Sequence, residues 1–134
     1  MEEKELENDP LTHVVIGAAI EVHKVLGPGL LESAYEECMA YEFTERGISY
    51  RQQLVMPVVY KKIQLRDAYR LDFLVRDAKD DRNRLIVELK VRDRAQEIHE
   101  AQILTYLKMS GVKRGLLINF QMPLLKFGIR RFVV

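Results

Sequence analysis

The feature of this sequence that most constrains its fold is the run Leu85–Val91 (LIVELKV). Its side chains are apolar on both faces except at two positions, so the run predicts a strand that is largely buried. The exceptions are Glu88 and Lys90, which carry opposite charges and, being two residues apart, share one face of the strand. Charge inside an otherwise buried strand is unusual, and it marks a place where chemistry could occur.

The patterns in the rest of the chain favour an α/β fold. Helical spacing of apolar residues predicts helices at 11–26, 30–46 and 95–110. Enrichment in β-branched and aromatic residues predicts strands at 50–60, 63–76, 85–91, 115–120 and 129–134. Three consecutive strands followed by a helix and another strand indicate an α/β sandwich with a mixed sheet. Neither a G-x-G-x-x-G motif nor a Walker-type loop occurs, which argues against a doubly wound fold.

Three local predictions accompany this assignment. Thr12 is expected to be the N-cap of the first helix. The run KDDRN at 79–83 is expected to form a polar turn before the third strand. In the third helix, we expect Ala101, Leu104 and Leu107 to form the buried stripe, because they are spaced three residues apart.

The length of 134 residues fits a single domain, and an apolar content of 48% is sufficient for a core. We expect an acidic tail at 1–10 and one domain at 11–134. No apolar run approaches the roughly 18 residues that span a bilayer, so no membrane association is expected. The opening is acidic where a signal peptide is basic, and the single cysteine cannot form an internal disulfide. Both observations favour the cytoplasm.

Charge is distributed unevenly along the chain. Residues 1–45 contain 2 basic and 11 acidic side chains, whereas residues 46–94 contain 13 basic and 7 acidic ones. Such a chain can present one positive face to phosphate groups and a negative face elsewhere. The simpler interpretation is an unevenly charged, solvated surface, so the asymmetry permits nucleic-acid binding without requiring it.

A second charge within an apolar strand, Asp72, could lie opposite Glu88 if the two strands are neighbours. Two carboxylates about 5 Å apart repel each other by roughly 3 kcal/mol at an effective dielectric constant near 20. A divalent cation such as Mg²⁺ would relieve this repulsion, since it binds one or two carboxylates together with phosphate oxygens. With Lys90 alongside, the group suits phosphodiester hydrolysis. The alternative is an ordinary cross-strand salt bridge to Lys90, which the spacing alone favours.

A longer set of motifs resembles a known family. The stretch Gly29–Tyr35 (GLLESAY) matches the pattern G-x-x-E-x-x-Y, and the runs IVELK, HEAQILTYLK and GLLINF follow in the expected order. The sequence therefore resembles the GxxExxY family of small bacterial and archaeal proteins, from Val14 to Val134. This family is placed in the PD-(D/E)-x-K nuclease superfamily. The resemblance implies a restriction-endonuclease-like αβββαβ core, with a mixed central sheet flanked by helices.

The resemblance also implies roles for individual residues. Asp72 would be the first acidic residue of the nuclease motif, although Leu71 replaces the proline before it, and Glu88 and Lys90 would form E-x-K. Glu32 would add a helix-borne carboxylate to the metal site. Gln102 and Tyr106 resemble the Q-x-x-x-Y motif of RecB-like exonucleases, which would add both to the catalytic residues. Tyr35 either packs in the core or orients Glu32.

Together these patterns predict a nuclease that depends on Mg²⁺ or Mn²⁺ and acts on DNA, with RNA as an alternative substrate. Asp72, Glu88, Glu32 and the Leu89 carbonyl would bind the metal. Lys90 would orient or activate the attacking water and stabilise the transition state. The candidates for contacts to the nucleic-acid backbone are Arg51, Lys61, Lys62, Arg70, Arg92 and Arg94. Strong sequence specificity would require a homodimer or a partner protein. The alternative functions are a catalytically silent binding or scaffold protein and an accessory subunit.

Overall fold

The computed structural model describes residues 9–93 and 97–134 of the chain. In chain order the elements of these ranges are α1 (Pro10–Leu26), α2 (Glu32–Glu45), β1 (Ser49–Tyr60), β2 (Ile63–Asp77), β3 (Asp80–Lys90), α3 (Glu97–Ser110), β4 (Arg114–Asn119), a 3₁₀ helix (Leu125–Gly128) and β5 (Ile129–Val133). The predicted α/β fold and the predicted order of helices and strands are confirmed.

The five strands form one mixed sheet in the order β1-β2-β3-β4-β5. Strands β1, β2 and β3 are antiparallel neighbours, as are β4 and β5. Strands β3 and β4 are parallel, and α3 connects them. A parallel pair needs such a crossover connection, because its strands start at the same end of the sheet.

Two apolar clusters cover the two faces of the sheet. The first joins α1 and α2 to the sheet through buried side chains that include Val15, Tyr35 and Phe73. The second joins α3 to the opposite face through Ile103 and Leu107, among others. Strand β3 contributes to both clusters, as expected for a strand that is apolar on both faces. Among the described residues, no helix combines the length and apolar character needed to cross a bilayer.

The start of α1 differs from the prediction. Its N-cap is Asp9, whose carboxylate accepts hydrogen bonds from the Thr12 backbone N–H and hydroxyl, both at 2.9 Å. Thr12 lies inside the helix and is fully buried, so the prediction that it caps the helix is wrong. Pro10 begins the helix, which suits a residue without an N–H, because the first helical position needs none. Residues 1–8 of the predicted tail at 1–10 lie outside the described residues. The boundary between the tail and the domain stays a prediction.

Two further predictions need correction. Strand β3 begins at Asp80, so most of the predicted turn at 79–83 belongs to the strand. In α3, Ala101 is exposed, and Ile103 and Tyr106 are buried together with Leu107. The helix is rotated relative to the predicted stripe because this orientation buries two larger side chains against the sheet.

The alternation of side chains in β2 is interrupted at Asp72. Leu71 packs in the cluster on the α3 side, whereas Phe73, two residues later, packs in the cluster on the α1 and α2 side. In a regular strand these two residues would share a face. On the neighbouring strand, Gln53 has a positive φ of 52° at the corresponding position. The backbone is therefore irregular in both strands at Asp72 and Gln53.

The ion pair between Asp9 and Arg114 should stabilise the fold in a pH-dependent manner. Their side chains lie 2.6 Å apart, and Arg114 is only 4% exposed. Burial raises the pKa of Asp9, but hydrogen bonds from Arg114 and Thr12 outweigh it and hold the pKa below its ordinary value of 3.8. The contribution of Asp9 is therefore present at neutral pH and is lost as the pH falls through the depressed pKa.

We expect Asp9→Asn to lower the free energy of unfolding by about 3 kcal/mol at pH 7, because it leaves a buried guanidinium without its partner. Asparagine still caps the helix, so the loss in the free energy of unfolding measures the contribution of the Asp9 charge. Urea denaturation should show the difference from the wild type shrinking below pH 4. Asp67→Asn, at an exposed position, serves as the control. An effect of the same size at all pH values would contradict the assignment.

Candidate metal centre at the end of the β2–β3 ladder

The predicted meeting of Asp72 and Glu88 is present. The paired residues of β2 and β3 end at Phe73 and Val87. Beyond this point the backbone N–H of Asp72 donates to Glu88 Oε1 at 3.0 Å, and the N–H of Leu89 donates to Asp72 Oδ2 at 2.8 Å. Each carboxylate thus accepts a hydrogen bond from the neighbouring strand, which brings the two carboxyl groups side by side.

Glu88 is the more buried member of this pair, with 5% of its surface exposed. Burial, followed by the negative charge of Asp72, raises the pKa of Glu88 to about 9. The hydrogen bond from the Asp72 N–H and the charge of Lys90 oppose this shift but do not cancel it. While no cation binds the pair, the neutral form of Glu88 is therefore favoured over its charged form.

Lys90 lies at the end of β3, two residues beyond Glu88 and half-buried. Its backbone is fixed, since the Lys90 carbonyl accepts a hydrogen bond of 2.9 Å from the Phe120 N–H. Its ammonium charge lowers the pKa of both Glu88 and Glu32, against the larger effect of burial. Asp72, Glu88 and Lys90 therefore form one electrostatic group, as predicted from the sequence.

Gln53 is a residue of this group that the sequence analysis missed. Its side-chain amide donates to Asp72 Oδ1 at 3.2 Å and also to the Glu36 carboxylate of α2. Gln52 donates to the other oxygen of Glu36 at 2.9 Å. These contacts connect α2 to Asp72 through one amide. The only sequence signal is the polar pair QQ within an apolar strand, which does not by itself reveal a contact with Asp72.

Asn119, at the end of β4, fixes the segment that follows Lys90. Its carboxamide accepts from the Arg92 N–H at 3.0 Å and donates to the Arg92 carbonyl at 2.8 Å. Asn119 is 8% exposed, so these hydrogen bonds satisfy a buried amide. The contact holds the chain as it leaves β3 towards α3, and no local pattern in the sequence predicts it.

Glu32 begins α2 and is half-buried near the pair. Burial raises its pKa, and the charges of Lys90 and Asp72 both act on it. Nevertheless, no three His, Cys, Asp or Glu side chains within residues 9–93 and 97–134 form a ready-made metal cluster. The role of Glu32 as a metal ligand, like that of the Leu89 carbonyl, stays a prediction.

Tyr35 shapes the loop in front of Glu32. Its hydroxyl donates to the Gly27 carbonyl at 2.6 Å and accepts from the Leu30 N–H at 3.2 Å. Its ring stacks on Phe120 with a centroid separation of 4.5 Å. Tyr35 is therefore a core residue that also fixes the α1–α2 loop, and its hydroxyl is engaged by the backbone rather than by the Glu32 side chain.

Gln102 and Tyr106 lie on α3 and differ in exposure. Gln102 is exposed, whereas Tyr106 is buried and its ring stacks on Tyr69 at a centroid separation of 4.6 Å. Burial, followed by the charges of Glu88 and Asp72, raises the pKa of Tyr106. The structure thus places Tyr106 in the core beneath α3, and the roles of Gln102 and Tyr106 at the site stay predictions.

The residues predicted to contact a nucleic-acid backbone are exposed wherever the structure describes them. They are Arg51, Lys61, Lys62, Arg70 and Arg92. Arg94 lies outside the described residues. Lys61 and Lys62 form the turn between β1 and β2, with the Lys61 ammonium 5.4 Å from the centre of the Tyr60 ring. Exposure makes these contacts feasible, and the contacts themselves stay predictions.

The carboxylate pair fits a hard divalent cation. It offers carboxylate oxygens beside a lysine, and the raised pKa of Glu88, caused by burial and then by the Asp72 charge, means that a cation would relieve the repulsion within the pair. Two protein carboxylates are sufficient for Mg²⁺, which completes its coordination with water and phosphate oxygens. The described residues therefore need not supply a third carboxylate for such an ion to bind.

Comparison with known families agrees with this geometry. The family model described as PD-(D/E)XK nuclease superfamily matches residues 9–132, nearly the entire chain. The chain belongs to the PD-(D/E)XK nuclease superfamily. Nucleases of this superfamily generally use divalent metals, in accordance with the oxygen ligands described above. Comparison with curated proteins and with solved structures found no match.

Gln53→Gly should weaken cation binding without unfolding the protein. We expect the Mn²⁺ affinity to fall about tenfold, because Asp72 loses the amide that orients it. Glycine adopts a positive φ without strain, which offsets its greater freedom in the unfolded chain, so the melting temperature should change little. Isothermal titration calorimetry and thermal melts measure the two quantities. Gln52→Ala removes a contact to Glu36 and leaves the Asp72 contact intact, so an equal loss in that control would contradict the proposed orienting role.

Glu88→Gln should stabilise the metal-free protein increasingly as the pH rises. The unfolded wild type ionises Glu88 near pH 4.5, whereas the folded protein keeps the proton until about pH 9. The stability of the wild type relative to the variant therefore falls between these values, by at most about 1.4 kcal/mol per pH unit. Urea denaturation in EDTA at pH 5, 7 and 9 would measure this trend. A pH-independent difference would show that Glu88 titrates normally.

Proposed function

We propose that this protein is a nuclease that uses Mg²⁺ or Mn²⁺ to hydrolyse phosphodiester bonds in DNA. The observation that carries the proposal is the pair Asp72 and Glu88, which hydrogen-bond to each other's strands next to Lys90. Membership in the nuclease superfamily supports the reaction class. The substrate and the ion are inferred from the chemistry of the group.

Asp72 and Glu88 would hold the divalent ion, with the Leu89 carbonyl and Glu32 as further ligands. When bound, the ion supplies Lewis-acid charge that activates water and neutralises the phosphate. The backbone N–H groups of Asp72 and Leu89 fix the orientation of both carboxylates. The Lys90 ammonium would stabilise the negative charge that develops on the phosphate oxygens during attack.

The exposed cations on β1, β2 and the segment after β3 would neutralise the backbone of the substrate. Phosphate contacts of this kind confer affinity and salt dependence but carry little sequence information. We therefore propose DNA binding that is largely independent of sequence.

Membership in the GxxExxY branch is supported by Gly29, Glu32 and Tyr35, since Tyr35 fixes the loop that precedes Glu32.

Cleavage of a labelled DNA strand in Mg²⁺ or Mn²⁺ tests the proposal. Asp72→Asn, Glu88→Gln and Lys90→Ala should each lower the rate at least about a hundredfold, because each removes a charge required in the transition state. Their circular dichroism spectra should match that of the wild type. Asp67→Asn and Lys79→Ala, at exposed positions away from the pair, provide matched controls.

Two results would reject the proposal. Cleavage that persists in EDTA, or in all three site variants, would indicate that the pair does not carry the activity. Binding of Mn²⁺ and DNA without cleavage of single-stranded or duplex substrates would instead identify a catalytically silent binding protein.

A further inference from the structure

A cleft lies between the β1–β2 hairpin and α3, on the face of the sheet that α3 covers. Its volume is about 340 Å³, near the lower end of the range for small-molecule sites, about 300–1,000 Å³. Val58, Ile98 and Met109 contribute apolar walls, and Tyr69, Tyr106 and Gln102 also line it. Ile98 and Met109 are more than half exposed, although both are large and apolar. The cleft is therefore an accessible apolar surface with polar groups among its walls.

Tyr69 provides the most informative group in this cleft. The residue is 9% exposed, and its hydroxyl is buried without a hydrogen-bond partner in the part of the chain that the structure describes. A buried hydroxyl without a partner is unfavourable and is uncommon in folded proteins. Stacking on Tyr106, with 14° between the ring planes, fixes the orientation of the ring. The hydroxyl would be satisfied by a ligand with a hydrogen-bonding edge.

Tyr69 relates the position of the cleft to that of the carboxylate pair. It lines the cleft and lies on β2, three residues before Asp72. Three residues of a strand span roughly 10 Å, so a group bound against Tyr69 would lie near a phosphate bound at the pair. In a nucleic acid, the group closest to a backbone phosphate that has both a flat apolar face and a polar edge is a nucleobase.

We propose that this cleft binds one unpaired nucleobase of the substrate, next to the scissile phosphate, and that Tyr69 is the residue that recognises it. The inference rests on the proposed nuclease function and narrows its substrate class. The apolar walls suit the faces of a base, and the Tyr69 hydroxyl and Gln102 amide suit its polar edge. An apolar peptide side chain would leave the hydroxyl unsatisfied.

This arrangement favours single strands and frayed ends over closed duplexes. Bases in a duplex are stacked and paired, so one of them enters such a cleft only after it has been unpaired and unstacked. DNA and RNA both offer unpaired bases. The selection therefore concerns the pairing state of the nucleotide, and parallel deoxyribose and ribose probes distinguish the two polymers.

Fluorescence anisotropy with Ca²⁺ in place of Mg²⁺ tests the inference by binding rather than cleavage. Three probes of equal charge separate the contribution of base contacts from that of phosphate contacts. They are a single strand, the same strand with abasic positions, and a closed hairpin duplex. Base stacking on protein aromatics predicts that the base-bearing strand binds at least about fivefold more tightly than the other two. Equal affinities, or a preference for the duplex, would overturn the inference.

Tyr69→Phe isolates the hydroxyl. Affinity for the base-bearing strand should fall roughly three- to tenfold, the effect of one hydrogen bond, and affinity for the abasic strand should not change. The melting temperature of the free variant should equal or exceed that of the wild type, because the hydroxyl has no partner to lose. Tyr41→Phe, on the exposed side of α2, is the matched control.

The outcomes separate this inference from the proposed function. An unchanged preference in Tyr69→Phe, or an equal loss of affinity for the abasic strand, would overturn the role of Tyr69 while metal-dependent cleavage by the wild type still stands. Failure of the wild type to bind any of the three probes would overturn both.

Discussion

The site depends on an exchange of hydrogen bonds where the β2–β3 ladder stops. Asp72 and Glu88 accept the backbone N–H groups that strand pairing no longer uses, and these contacts draw two acidic side chains together at a buried position. Backbone N–H groups at this point need partners, and carboxylates are strong acceptors. The same contacts that satisfy the backbone N–H groups therefore bring the two carboxyl groups close enough to repel each other.

This repulsion affects both the stability of the protein and its affinity for a cation. A buried carboxylate beside another is tolerated when it is protonated or when a cation joins the pair. Burial, followed by the charge of Asp72, raises the pKa of Glu88, so protonation of Glu88 is the alternative to binding a divalent ion. Perturbed carboxylates of this kind concentrate at functional sites, because the arrangement that destabilises the free protein also binds the cofactor.

The helices on the two faces of the sheet contribute different parts of the site. On one face, α2 supplies Glu36, which reaches Asp72 through Gln53, and carries Glu32 at its start. On the other face, α3 carries Tyr106, whose ring stacks on that of Tyr69 in β2. The parallel crossover between β3 and β4 makes this possible, since it carries the chain from Lys90 across the face that α3 covers.

The sequence by itself determined the order of elements and the spacing of Glu88 and Lys90 within β3, because hydrophobic periodicity and an E-x-K spacing are local properties of the chain. The tertiary structure alone decided that Asp72 meets Glu88 and which other residues support the two carboxylates. Gln53, Asn119 and Tyr69 contact groups that are distant in sequence, and Asp9 replaces Thr12 as the cap partly because Arg114 of β4 lies beside it. Likewise, α3 buries Ile103 and Tyr106 instead of Ala101, because the sheet against which a helix packs determines which of two adjacent apolar faces is buried.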